Sequence, residues 1–270
     1  MTSRPALVRP PGPRLADGLV THIDRSPVDV ELAMLQWRGY VAALEAHGWS
    51  PVEVPGAPDC PDAVFVEDTM VVFRDVAVLA RPGAESRRPE VEAAADAVRA
   101  FGYRVVPIEA PGTLDGGDVL KVGDTIYVGL GGRTNAEGIA QLAAALEPVG
   151  ATVVTVPVTK VLHLKSAVTA LPDGTVIGWP PAVDDPSVFP SYLAMPEESG
   201  AHVVILDERT LLLSSDAPMS AMLLRERGYD TVTVDIGEFV KLEGCVTCLS
   251  VRLREAPTHL DSRSASPARS

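Results

Sequence analysis

Aromatic residues are scarce in this chain, 5% of 270 residues, too few for a surface on which nucleic-acid bases stack. Basic residues are in deficit as well. Against 36 Asp and Glu stand 23 Lys and Arg, a net charge of −13, which argues against a nonspecific hold on phosphate backbones by clustered cations. No apolar run approaches the roughly 20 residues that cross a bilayer, and the N-terminus lacks the charged-then-apolar order of a secretory signal. We therefore expect no nucleic-acid partner, no membrane association and a cytoplasmic location. Cysteine is rare too: Cys60, Cys245 and Cys248 are too few and odd in number for a disulfide framework, so each is weighed as a free thiol. What remains is ordinary soluble-globular composition, 46% hydrophobic and 22% charged. The acidity admits a cationic ligand, although most such charge is solvated surface.

Residues 254–270 (REAPTHLDSRSASPARS) lack apolar periodicity and read as a disordered tail behind a single domain over 1–253. Within that domain a weak repeat of roughly 50 residues is visible. Four segments, 66–82, 116–130, 165–180 and 201–216, each hold two β-branched runs around a turn built on Arg-Asp, Gly-Asp, Asp-Gly or Asp-Glu, the pattern of paired strands. Helical spacing follows in 87–102, 134–150 and 217–230, with Thr134 or Asn135 as N-cap and Gly102 and Gly150 as stops. After the first two helices, 103–108 and 151–158 are apolar enough to be buried strands. Four or five such ββαβ units cannot bury their faces singly but can close around an axis as propeller blades. A doubly wound sheet is the rival, yet GLGGRTN (129–135) makes no GxGxxG fingerprint in a strand-to-helix setting.

Acidic residues collect in two unexpected places. PDAVFVEDTMVV (61–72) sets Asp62, Glu67 and Asp68 beside or inside an apolar strand, and TLDGGDVL (113–120) does the same with Asp115 and Asp118. Burying carboxylates costs several kcal/mol unless they are paired, so a cationic ligand or a divalent metal is called for; no histidine sits at ligand spacing, which disfavours the metal. Arg87 follows the first set and Arg133 the second at the matching place in the module, beside a solvated Arg88. Arginine forks grip carboxylates, so the two polarities together describe a free cationic amino acid.

Cys248, in EGCVTCLSVRL (243–253), reads three ways: an inert core thiol, half of a CxxC redox pair with Cys245, or a nucleophile that needs a base from elsewhere. The strand-like LSVRL is not the helix start that thioredoxin-type chemistry uses, but oxidation could still link the two sulfurs. Of five histidines, His163 in KVLHLKSAVTAL (160–171) stands among apolar neighbours and is the enclosed one, either a satisfied core residue or that base.

PDAVFVEDT, RPGAESRR, IEAPGTLDGGDV, GGRTNAEG, LHLKS and GCVTCLSV, in this order, together with LADGLV (15–20), resemble the motifs of the dimethylarginine dimethylaminohydrolase family, of the guanidine-modifying superfamily. The resemblance runs through essentially all of 1–253 and implies a five-bladed pseudosymmetric α/β propeller, which agrees with the repeat. It implies hydrolysis of Nω-methylated arginine to citrulline, with Cys248 as nucleophile, His163 as general acid/base and Asp115 beside both histidine and guanidinium. Glu67 and Asp68 fall at guanidinium-side positions, Asp62 and the Leu19 backbone at α-amino contacts, Arg87 and Arg133 at the α-carboxylate, and Leu242 at the substrate wall. No cofactor and no metal are implied, the partner is a small-molecule substrate, and a homodimer is compatible with the pattern. Cys245 departs from the family motif. The rival activities are arginine deimination, whose enzymes are usually longer, and a propeller used as a binding module.

Overall fold

The computed structural model describes residues 4–254. The chain begins inside the blade that it later finishes. β1 (Arg4–Val8) leads through α1 (Val30–Ala46) to β2 (Trp49–Glu53), which lies parallel to β1. Three blades then repeat one order, two antiparallel strands, a helix and a third strand parallel to the second. They are β3 (Met70–Phe73), β4 (Val76–Leu79), α2 (Val91–Ala100) and β5 (Arg104–Pro107); β6 (Val119–Val122), β7 (Thr125–Leu130), α3 (Ala136–Leu146) and β8 (Thr152–Pro157); and, after a fourth blade, β12 (Val204–Ile205), β13 (Thr210–Ser214), α5 (Pro218–Glu226) and β14 (Asp230–Val234).

The fourth blade follows the short α4 (Leu164–Ala167) and consists of β9 (Val168–Ala170), β10 (Val176–Gly178) and β11 (Tyr192–Ala194). In it a single 3-10 turn, Pro186–Val188, stands where the others carry a helix. The short α6 (Gly237–Val240) and β15 (Val251–Arg252) come last, and β15 pairs antiparallel with β1 to complete the first blade. Among the described residues five three-stranded sheets result, a five-bladed α/β propeller closed by the pairing of β1 with β15.

Local chemistry explains the pieces. Asp29 caps α1 by accepting the N–H of Glu31 and of Leu32, both at 3.0 Å, and Asn135 caps α3 by accepting from Gly138 at 2.8 Å. Gly102 and Gly150, with φ of +81° and +87°, end their helices in the left-handed region. Among the described residues the apolar core is divided into five clusters, each packed between two neighbouring blades. Val71, Val78, Ile126 and Leu142 join the second to the third, and Ile177, Leu211, Leu213 and Leu224 join the fourth to the fifth. No blade buries its faces alone, so the ring must close to be stable.

One expectation is corrected and two are narrowed. The runs 103–108 and 151–158 are not buried throughout: β5 and β8 are edge strands exposed at both ends, half-buried between in β5, and in β8 mixed, with Thr155 exposed and Val156 buried. The acidic residues stand beside strands and not inside them: they lie on the 3-10 turns Val66–Thr69 and Gly116–Asp118, or just ahead of them, each turn immediately preceding the first strand of its blade. The strand expected of LSVRL narrows to β15, and Cys248 lies on the turn before it. The tail expected over 254–270 lies outside the described residues except for Arg254, which donates to the Ile205 carbonyl at 2.9 Å and stands 5.3 Å from the Trp49 ring. Among the described residues no helix is long and apolar enough to cross a membrane.

Candidate active site

The 3-10 turns and the turn holding Cys248 converge near the propeller axis. There Leu19, Asp62, Asp68, Arg87, Arg133, His163, Leu242 and Cys248 line one cavity of about 20 Å³, room for a single water. Asp115, fully buried, stands against it through His163. Glu67 does not line this cavity. Adjacent residues on a tight turn diverge, and its carboxylate points instead to Lys165 Nζ at 2.6 Å and Arg252 Nη2 at 3.8 Å, in a separate cavity of about 270 Å³.

His163 is clasped from two blades. Its Nε2–H donates to Asp115 Oδ2 at 3.0 Å, and its Nδ1 lies 3.9 Å from Asp68 Oδ1. Burial, the largest single influence, disfavours the charged ring, but Asp68, Asp115 and Asp118 together outweigh it and lift the imidazole to about 9. Asp68 answers in the opposite sense: burial opposes its charge, yet His163, Arg87 and the Gly117 N–H hold it at about 2. Gly117 is required at that contact, because a Cβ there would lie 2.6 Å from both Asp68 Oδ1 and His163 Nδ1. Asp115 Oδ1 also accepts the Gly83 N–H at 3.0 Å. Asp118 takes the Thr134 hydroxyl at 2.6 Å and the Leu164 N–H at 3.0 Å, fixing the residue after His163, and burial pushes it up to about 6.

The two arginines differ. Arg87 Nη1 donates to Asp68 Oδ2 at 2.6 Å, while its Nε and Nη2 donate to the Glu90 carboxylate at 3.1 and 2.9 Å. Arg133 Nη1 is buried, 3.6 Å from Asp115, and finds no hydrogen-bond partner among the described residues. The Cys248 thiol is pushed well above its usual range by the hydrogen bond with Cys245, by burial and by the charges of Glu67 and Asp68.

A loop closes the cavity. Asp62 Oδ1 accepts the Leu19 N–H at 3.0 Å, and Glu243 accepts from the backbone of Thr21 at 2.7 Å and of His22 at 2.8 Å. Sequence reasoning missed Glu243, whose signal is faint; it is a non-glycine residue at φ +60°, a strained conformation of the kind that clusters at functional sites. It also missed Glu90, the partner that saturates Arg87. Asp68, Asp115 and His163 offer ligand atoms within 4.8 Å of one another, so the fold supplies the histidine whose distance in sequence disfavoured a metal. Both carboxylates are committed to other donors and favour a proton on the ring, which competes with a metal for its nitrogens.

A family model described as arginine deiminase matches residues 42–211. The chain is 65% identical over 255 residues to the N(G),N(G)-dimethylarginine dimethylaminohydrolase of Streptomyces coelicolor, covering 94% of this chain and 99% of that protein. Among solved structures, a histidine-to-glycine variant of dimethylarginine dimethylaminohydrolase in an adduct with S-methyl-L-thiocitrulline superimposes with a TM-score of 0.87 at 33% identity, over 93% of this chain and 100% of the other. A cysteine-to-serine variant of the Pseudomonas aeruginosa enzyme complexed with citrulline gives 0.86 at 33% identity over the same shares.

Proposed function

The chain belongs to the dimethylarginine dimethylaminohydrolase family, and on that premise we propose that it hydrolyses Nω-methylated arginine to citrulline and dimethylamine or methylamine through a covalent intermediate on Cys248. The observation that carries the residue roles is an imidazole held cationic by Asp68 and Asp115 in the same closed cavity as the Cys248 thiol.

A guanidinium is delocalised and a poor electrophile, so carboxylates orient it without removing its charge while a soft thiolate attacks its central carbon. Asp68 and Asp115 supply that orientation. The hydrogen bond with Cys245 and burial, with the charges of Glu67 and Asp68 after them, keep Cys248 protonated; the bound cation offsets those charges, so the thiol releases its proton to solvent when substrate is present. Cys248 adds to the carbon, and the His163 imidazolium gives its proton to the departing amine. The S-alkylthiouronium left on sulfur is attacked by water as neutral His163 takes the water's proton, and the Cys248 thiolate leaves citrulline. Arg133, with a free donor, grips the α-carboxylate; Asp62 and the Leu19 carbonyl take the α-amino group; Leu242 walls the chain. The loop latched by Glu243 must open to admit a ligand larger than a water. A cytoplasmic location and a small-molecule partner complete this reading.

The test is Cys248→Ser with dimethylarginine and arginine assayed side by side for citrulline. Wild type is expected to turn over dimethylarginine, and the variant to keep its fold and lose turnover. Retained turnover in the variant sinks the role of Cys248, and preference for arginine favours deimination.

A further inference from the structure

Two thiols stand at the turn before β15, and they are already in contact. Cys245 Sγ and Cys248 Sγ lie 3.4 Å apart, and the Cys248 N–H donates to the Cys245 carbonyl at 3.1 Å. A turn closed by that bond brings its end Cα atoms within about 7 Å. A disulfide spans about 4.4–6.8 Å between Cα atoms, so the sulfurs can join with little backbone movement. They face different spaces. Cys248 lines the cavity of about 20 Å³ beneath the loop, whereas Cys245 lines a neighbouring cavity of about 420 Å³ together with Trp179, His202 and Asp216. Thr247 Oγ1, 3.3 Å from Cys245 Sγ, is placed to donate to a thiolate there. The hydrogen bond from Cys248, the largest influence, together with His202 and Thr247, draws the Cys245 thiol well below its usual range despite burial.

We propose that Cys245 is the oxidant-facing half of a reversible disulfide with Cys248, formed when hydrogen peroxide enters the larger cavity. The Cys245 sulfur attacks the peroxide, an S–O bond forms as the O–O bond breaks, and the released hydroxide takes a proton to become water. Cys248 then attacks the sulfenic sulfur, the S–S bond forms as the S–O bond breaks, and the second hydroxide leaves with the Cys248 proton as water. The two thiols lose two electrons and the peroxide gains them; a dithiol reverses the change. Cys60 is engaged elsewhere, its Sγ 3.8 Å from the Ser86 carbonyl. That the disulfide silences turnover rests on Cys248 being the nucleophile, but the bond itself does not.

The full chain is treated with hydrogen peroxide, blocked at its remaining thiols and mapped by mass spectrometry, with citrulline formation measured before and after dithiothreitol. The expected result is a Cys245–Cys248 link, a fall in activity of about tenfold or more, and its return on reduction. Cys245→Ser, with Cys245→Ala as a second variant should serine disturb the turn, is expected to recover less, because its lone sulfur proceeds to the irreversible sulfinic stage. Sulfinic acid at Cys248 of the wild type without the link, or equal recovery in wild type and both variants, overturns the proposal. A link that forms while turnover is unchanged upholds the disulfide and overturns the reading of Cys248 as nucleophile.

Discussion

Arg87 and Arg133 follow the two acidic turns at matching places in successive blades, and both were expected to hold the same ligand group. The ring uses them differently. Arg87 lines the cavity with its donors committed to Asp68, Glu90 and the carbonyls of Asp62 and Phe65. Arg133 keeps a buried donor without a hydrogen-bond partner among the described residues, 3.6 Å from Asp115, an arrangement that a folded protein tolerates where a ligand completes it. Pseudosymmetry thus repeats positions without repeating roles. What separates them is how closely carboxylates hold the guanidinium: Arg87 has Asp68 at 2.6 Å and Glu90 at 2.9 Å, Arg133 has Asp115 at 3.6 Å, and Glu90, at i+3 from Arg87, has no acidic counterpart at i+3 from Arg133, where Ala136 stands.

The sharpest way to break that contrast is Arg87→Ala. It leaves Asp68 and Glu90 buried without their cation, and removing one partner of a buried pair costs about 3–5 kcal/mol. Denaturant unfolding should register that loss together with lost turnover, since Asp68 is unmoored. A loss under about 1 kcal/mol would show that Arg87 is not the structural member of the two.

His163 joins the two blades and gives the next effect. Its folded pKa of about 9 lies above the ordinary 6.5, so its contribution to stability is fully present below about 6.5 and is lost as pH rises through 9. That shift corresponds to about 3 kcal/mol. The acid side mirrors it, since Asp68, held at about 2 against an ordinary 3.8, loses its share as pH falls through that window. Unfolding measured across both windows checks the sign. An imidazole titration in Asp68→Asn and Asp115→Asn then ranks the blades: Asp68→Asn is expected to lower the His163 pKa more, and the reverse order would make the third blade the dominant partner.

How far the sequence could be read follows the same division. The hairpins were legible because Asp-Gly and Gly-Asp turns between β-branched runs act locally, and the helices between them because their caps and Gly stops are local too. The first blade was not legible, for β15 and β1 come from opposite ends of the chain. The helix missing from the fourth blade and the exposure of β5 and β8 were equally hidden, since a Val-rich run reads alike at the edge or centre of a sheet. In the site, residue types were legible but directions were not. Glu67 and Asp68 are neighbours that face different cavities, and the saturation of Arg87 depends on Glu90, a residue with no motif of its own.

Arg133→Ala tests the other member of the comparison. A hydrogen bond to a charged group contributes about 1.5–3 kcal/mol, so KM for dimethylarginine should rise about 10- to 100-fold, with the unfolding free energy changed by less than about 1 kcal/mol. Arg133→Lys should recover little of this, because an ammonium lacks the planar fork that meets a carboxylate with two parallel bonds. A drop in stability with KM intact would place Arg133 beside Arg87 as a structural residue and dissolve the contrast.

The smallest effect belongs to the arginine next to Arg87. Arg88 pairs with Glu85 at 3.0 Å, but the two side chains are 32% and 82% exposed, and exposed pairs contribute little after solvent screening and side-chain entropy are counted. Arg88→Ala should therefore change the unfolding free energy by no more than about 0.5 kcal/mol and leave KM where it is. One position along the same 3-10 turn, Arg87 is buried among its carboxylates. If Arg88→Ala instead approached the loss expected of Arg87→Ala, burial and pairing would not be what separates these arginines, and no physical ground would remain for treating Arg133 as the free one.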